Sequence, residues 1–245
     1  MTDPVFVHPG VAAVTPGQQI VLDGEEARHA VVVKRIRVGE RIVLTDGAGA
    51  SVTGVVAVAD KSTLTLDVDE ARRTQPELPR VVVVQAIPKG DRGELAVEML
   101  TEVGVDEIVP WAASRCVAVW KGDRAAKSLA KWRATARESA KQARRTWFPE
   151  ITDVVGTEEV AKRLEKASVP VVLHEAASGP LADLPVPGRA EIVIVVGPEG
   201  GISDEELAAF AAVGAEPVRL GSSVLRTSTA GVAATAALLA RTRWR

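Results

Sequence analysis

The sequence predicts an α/β protein in two parts: a small β-barrel over residues 1–72, a linker at 73–80, and a mostly parallel sheet domain over 81–245. Three observations predict it. Short strand-like runs separated by turn residues crowd the first part. From Val81 onward, apolar runs alternate with helical patterns, as expected of a parallel sheet covered on both faces. Between them, Glu70-Ala-Arg-Arg-Thr-Gln-Pro-Glu-Leu-Pro-Arg80 carries two prolines and mixed charge and sustains neither period.

Taken in order, strands are expected at 19–22, 41–45, 51–58 and 63–68, with turns at Asp46-Gly-Ala-Gly49 and Asp60-Lys61. A helix at 25–35 interrupts them and gathers Arg28, His29, Lys34, Arg35 and Arg37 at its end. Many short strands suggest a barrel. In the second part, strands are expected at 81–86, 106–111, 170–174, 192–196 and 217–220. Helices are expected at 92–103, 123–145, 157–166, 205–213 and 227–242. The first of these places Leu95, Met99, Leu100 and Val103 on one apolar face.

Composition narrows the possibilities. An apolar fraction of 47%, a charged fraction of 25% and a net charge of −2 describe an ordinary globular protein, so any basic surface must be local. One cysteine, Cys116, leaves no disulfide framework and no Cys-based zinc site, and no metal is expected. The N-terminus lacks a secretory pattern, and no apolar run approaches the ~20 residues of a membrane span. A cytoplasmic protein without a membrane partner is expected.

The chemistry concentrates in two turns. Strand 192–196 runs into Gly197-Pro-Glu-Gly-Gly201, and Ser203 with Glu206 then forms a capping box for the next helix. Glycine allows positive φ and lets a ligand approach the backbone. A second strand, glycine and helix start follow in Val218-Arg-Leu-Gly-Ser-Ser-Val-Leu-Arg-Thr-Ser-Thr-Ala230. Two such turns suggest one pocket built of main chain at strand ends. A phosphate could sit at such a helix start. Glu199 within the loop, and the lack of a Walker lysine or GxGxxG pattern, favour a neutral or cationic ligand such as S-adenosylmethionine. The other basic feature is the long helix. From Lys121 to Arg145 nine Lys and Arg stand against only Asp123 and Glu138, with Trp132 and Trp147 interleaved. Clustered cations and planar side chains suit a nucleic-acid backbone.

Gly197-Pro-Glu-Gly-Gly201 with Leu220-Gly-Ser-Ser-Val-Leu-Arg-Thr-Ser-Thr-Ala230 resembles the paired C-terminal motifs of the SPOUT RNA methyltransferases. The RsmE-type family, which methylates N3 of uracil in small-subunit rRNA, is the most similar subgroup. Ala86-Ile-Pro-Lys-Gly-Asp91, Thr101-Glu-Val-Gly-Val-Asp-Glu-Ile-Val-Pro110, Lys131-Trp132 and Glu138-Ser-Ala-Lys-Gln-Ala-Arg-Arg145 resemble its intervening segments. Arg28-His29 through Gly39 and Asp46-Gly-Ala-Gly49 resemble its N-terminal barrel. Three departures stand out: no adjacent arginines near residue 2, Arg28 where a second His is frequent, and Ser228 where Glu is common.

The resemblance implies a PUA-like barrel, a trefoil-knotted sheet domain and a homodimer. It implies S-adenosylmethionine held near Leu173, Gly197, Gly201, Leu220, Gly221 and Leu225, and 16S rRNA of the small ribosomal subunit as substrate. Arg226, directly after the cofactor loop, is the candidate to stabilise an anionic uracil, with an ion pair to Glu199 as its structural alternative. Glu199 and His174 are candidate proton acceptors. Arg35, Arg37, Lys89, Arg92, Arg115, Lys141, Gln142 and Arg145 are candidates to hold rRNA. Two other readings stay open: an RNA-binding assembly factor that has lost catalysis through Ser228, and a small-molecule α/β enzyme whose basic helix is incidental.

Overall fold

The computed structural model describes residues 3–245, so residues 1 and 2, where the missing arginines were noted, lie outside the described residues. The chain forms two compact units. One contains the chain up to Pro76 together with Ala140–Phe148, and the other contains Glu77–Ser139 and Pro149–Arg245.

The first unit is a mixed five-stranded sheet of β1 (Val5–Val7), β2 (Gln19–Asp23), β3 (Arg41–Thr45), β4 (Ala50–Ala59) and β5 (Thr63–Arg73), in the order β1-β3-β4-β5-β2. Its end strands β1 and β2 do not pair with each other, so the sheet is a half-barrel. Strand β4 is buried over Ala50–Val52, then alternates buried and half-buried residues, and shifts register at Thr53/Gly54 and Val56/Val58. Gly54 is needed at the first shift, because a Cβ there would lie 2.0 Å from the Asp67 carbonyl oxygen. Phe6, Leu22, Ile42, Leu44, Leu64 and Leu66 fill the core. β1, too short to show a period in sequence, was not expected.

The expected helix at 25–35 is shorter. α1 (Gly24–Arg28) passes into a π-turn over His29–Val33. Ile36 N–H then donates to the Ala30 carbonyl at 3.0 Å, and Arg35 takes φ +59°. The long helix, α3 (Gly122–Gln142), stops in the same way: Arg145 N–H reaches Ala140 O at 2.9 Å with Arg144 at φ +55°. Such left-handed caps normally use glycine. An arginine in that place gives no sequence signal, so both helices end before the residues that their sequence pattern predicts.

The second unit is a six-stranded parallel sheet. Its strands are β6 (Arg80–Ala86), β7 (Glu107–Trp111), β8 (Glu150–Ile151), β9 (Val169–Leu173), β10 (Glu191–Val196) and β11 (Glu216–Val218). The order is β11-β9-β10-β6-β7-β8, so the direction of winding switches between β6 and β10. Those two strands are buried on both faces, as their unbroken apolar runs require. Val81, Val83, Ile192 and Ile194 face the core shared with α2 (Arg92–Val103), α3 and α6 (Thr227–Leu239). Val82, Val84, Val193 and Val195 face the core shared with α4 (Thr157–Lys166) and α5 (Asp204–Ala212).

The apolar face expected for α2 is rotated. Gly93, Ala96, Val97, Leu100 and Thr101 are buried, while Leu95 is 45% exposed. Small residues win because the helix lies close to its neighbours: a Cβ on Gly93 would come within 2.8 Å of Trp132 Nε1. Trp132 is buried here, edge-on to Trp120 with ring centroids 5.0 Å apart. In the first unit, Trp147 lies against Gly49, whose added Cβ would be 2.6 Å from the indole. The buried Trp132 ring is not free to stack on a base. At the amino ends of the central strands Arg80 bridges Glu107 and Glu191, and Arg163 also reaches Glu107. Burial opposes the Arg80 charge, but its two carboxylate partners outweigh that and raise its pKa.

Gly231 tests the packing of α6. A side chain there would meet Leu100, Val196 and Val83 at 3.1–3.4 Å. Gly231→Val should therefore destabilise the protein by about 1–3 kcal/mol through overpacking. A urea-unfolding midpoint equal to that of the unmodified protein would show that the helix can move away.

Candidate active site

The turns that follow β9, β10 and β11 meet at the carboxyl ends of these strands. Together with the start of α6 they line a cavity of about 380 Å³. This is where an open α/β sheet takes a ligand, beside the switch in winding. Leu173, Gly197, Gly201, Leu220, Gly221 and Leu225, the expected cofactor residues, all line it. So do Arg226 and Arg92, with His174, Glu175, Glu199, Arg219 and Thr227.

Main-chain geometry fixes the walls. Gly201 and Gly221 take φ +75° and +73°, which side-chain-bearing residues rarely adopt. Gly201 N–H donates to Pro198 O at 2.9 Å and closes the turn. Gly197 has ordinary φ, yet a Cβ there would lie 2.7 Å from Ile202 Cγ1. At Gly200 the added Cβ would lie 2.9 Å from the Arg115 carbonyl oxygen, so the loop after β7 presses on this turn. Arg115 Nη1 in turn donates to Ile202 O at 3.4 Å.

Behind the turn sits the buried carboxylate of Glu206. Ser203 N–H donates to its Oε2 at 3.0 Å, and Glu206 N–H returns to Ser203 Oγ at 3.2 Å, completing the expected capping box. Its Oε1 accepts from Ser114 N–H at 2.8 Å and from Thr157 Oγ1 at 3.1 Å. One side chain thus ties the glycine turn to the loop after β7 and to the start of α4. The sequence shows the cap but not these two long-range partners.

Arg226 is exposed at the N-cap position of α6 and has no ion-pair partner among the described residues. The alternative ion pair with Glu199 is not formed; Glu199 Oε1 accepts the Lys89 backbone N–H at 3.2 Å instead. His174 Nδ1 accepts from Ala176 N–H at 3.2 Å, so its neutral ring carries the proton on Nε2. Ser228 is buried and does not line the cavity. Cys116 is half-buried, and burial pushes its thiol pKa up, which suits a packing residue and not a nucleophile.

The candidate RNA-holding residues fall into groups. Lys89, Arg92 and Arg115 surround the cavity in the second unit. Arg35 and Arg37 are exposed in the first unit, where Gln142 is exposed and Arg145 half-buried. Lys141 departs from expectation: its side chain is 6% exposed and its Nζ lies 3.1 Å from Glu26 Oε1. A buried ammonium held in an ion pair is out of reach of a phosphate. Much of the α3 basicity is likewise answered locally, by Lys131–Glu94 and Arg133–Asp153, both at 3.0 Å. Lys121, Arg124 and Lys127 stay exposed at its start. Among the described residues no cluster of His, Cys, Asp and Glu is grouped to hold a metal, and no helix is long and apolar enough to cross a membrane.

A parallel sheet with a glycine-walled pocket at its strand ends, preceded by a small β module, is the build of an RNA methyltransferase. The family described as the RNA methyltransferase domain matches residues 76–239, and the RNA methyltransferase PUA domain matches 22–69. Within that class, the chain belongs to the family of ribosomal RNA small subunit methyltransferase E. A member from Mycobacterium bovis is 42% identical over 233 residues, covering 93% of this chain and 89% of the relative. One from Bacillus subtilis is 28% identical, covering 89% of this chain and 88% of its own. Among solved structures, a Legionella pneumophila methyltransferase in complex with its bound cofactor SAM superposes with a TM-score of 0.89 at 29% identity, covering 99% of each chain. The Neisseria gonorrhoeae ribosomal RNA small subunit methyltransferase E, bound to S-adenosyl methionine, gives 0.87 at 29%, covering 98% of each.

Two outcomes follow. Glu206→Gln swaps a pure acceptor for a group with two N–H donors, so one of its donor partners loses its acceptor; this should cost about 1–3 kcal/mol and weaken ligand binding at the glycine turn. Calorimetric titration with S-adenosylmethionine and a thermal melt check both, and unchanged values would refute the hub role. Lys141→Ala removes one partner of the partly buried Glu26 carboxylate, which keeps the Val7 N–H, and should cost about 1–3 kcal/mol, read from the urea midpoint by tryptophan fluorescence. A loss well under 1 kcal/mol would show the pair to be dispensable.

Proposed function

We propose that the protein transfers a methyl group from S-adenosylmethionine to N3 of a uridine in 16S rRNA of the small ribosomal subunit. The observation that carries this reading is the cavity at the ends of β9, β10 and β11, lined by glycine turns with Arg226 at its rim. The residues suit that donor: carboxylates (Glu175, Glu199) and cations (Arg92, Arg219) both line the cavity, as a ligand of mixed charge requires. When bound, the donor supplies a methyl group on a sulfonium, which is already reactive.

The protein's part is therefore mostly placement. Gly197, Gly201, Leu220 and Gly221 give main-chain contacts, and Leu173 and Leu225 give apolar ones. Uracil N3 carries a proton and normally pairs, so the base must be presented unpaired. As the N3–H bond breaks, its proton goes to Glu199 or to solvent and its electron pair stays on the ring, and the exposed guanidinium of Arg226 stabilises that negative charge. Lys89, Arg92 and Arg115 hold the flanking phosphates, and the exposed Arg35 and Arg37 give the PUA-like unit a further RNA contact. Gln142 and Arg145, in the same unit as Arg35 and Arg37, are proposed RNA contacts as well. Ser228 lies off the cavity, which removes the ground for a reading without catalysis. We further read the turns around the cavity as the trefoil-knotted site of a homodimer in the cytoplasm. Exposed Val117, Val119 and Val224 support the dimer.

Arg226→Ala should lower the rate of methyl transfer to small subunits from cells lacking the protein by about 10²–10³-fold. Its Kd for S-adenosylmethionine should change little. Transfer at the unmodified rate would remove Arg226 from the chemistry, and no transfer by the unmodified protein would overturn the reading. Lys89→Ala with Arg115→Ala should weaken rRNA binding and shallow its log–log salt slope by about two, measured by gel shift.

A further inference from the structure

Gln85 is the next-to-last residue of the central strand β6 and is 1% exposed. Register sets it between Val196 of β10 and Pro110 of β7. Alternation puts it on the face of Val81 and Val83, the face that α6 covers. A primary amide at the top of a valine run is otherwise out of place. Its Nε2 lies 3.1 Å from Ala86 O and 3.2 Å from Thr227 Oγ1, and Thr227 Oγ1 lies 2.6 Å from Gly197 O.

Chemistry fixes the direction of this chain. The Gly197 carbonyl can only accept, so the single Thr227 hydroxyl proton goes to it. The Thr227 oxygen then accepts from Gln85, which must present its NH₂ and not its carbonyl. Both amide protons are used. Gln85 Oε1 is left buried with no hydrogen-bond partner among the described residues, a cost an apolar residue would avoid. What Gln85 contributes is therefore orientation. Gly197 belongs to the wall of the cavity after β10, and Thr227, with Arg226 before it, belongs to the wall formed by α6.

We infer that Gln85 is a positioning residue for the methyl-donor cavity: through Thr227 it clamps the β10 turn to the first turn of α6 and so sets the width of the site. The inference rests on the donor assignment above. It adds a residue that touches neither donor nor uracil but decides how Gly197 and Arg226 are presented to them.

The test uses the full-length protein with Gln85→Met, Thr227→Val, both together, and Thr227→Ser. Met conserves volume and Val conserves shape, so the fold is expected to survive. Each of Gln85→Met and Thr227→Val should weaken S-adenosylmethionine binding about tenfold by calorimetry, and the double variant should be no weaker than the worse single. Thr227→Ser, which keeps the hydroxyl, should recover most of what Val loses. Multiplicative losses, unchanged Kd values, or a fall in melting temperature alone would overturn the clamp. If Gln85→Met fails to fold, Gln85→Leu takes its place in the same double-variant comparison. Failure of the unmodified protein to bind the donor would instead overturn the donor assignment, and the clamp with it.

Discussion

The Glu206 carboxylate is the constraint on which the site depends. A buried charge is tolerable only when its lone pairs are met, and here Ser203, Ser114 and Thr157 meet them. These donors come from the glycine turn, the loop after β7 and the start of α4. None of the three segments can move without stranding the carboxylate. The turn that walls the cavity is therefore rigid before any ligand arrives, although it is built of glycines that would be flexible in isolation.

The same logic separates structural from functional charge. Cations that were alike in sequence have different fates in the fold. Lys141 is consumed by Glu26, Lys131 by Glu94 and Arg133 by Asp153. Arg226 keeps an open guanidinium beside the cavity. A charge paired with a neighbour is partly spent on that pair, so the count of cations along the helix overstates its open charge. Glycine acts in an analogous way across the second unit. Gly93 and Gly231 let helices approach closely, whereas Gly201 and Gly221 supply backbone angles.

Much of the site was legible because it is local. The runs 192–196 and 217–220, each followed by glycine, announced strand ends, and every residue expected to hold the cofactor lines the cavity. Errors arose where local signals were silent or misleading. Arg35 and Arg144 end helices in the left-handed conformation without glycine. Leu95 looked like core but points outward, because Ala96 and Val97 permit the closer approach.

The sequence by itself determined the two-part α/β organisation, the strand and turn sites and the likeness to a methyltransferase family. These depend on spacing along the chain, which period and turn chemistry express directly. Only the tertiary structure decided that Lys141 is buried, that Arg226 is exposed at the rim of the cavity, that Glu206 ties three segments together and that Gln85 reaches Thr227. Each of these is a meeting of side chains set by packing between distant segments, and hydrogen bonds act over about 3 Å, a distance that residue spacing does not encode.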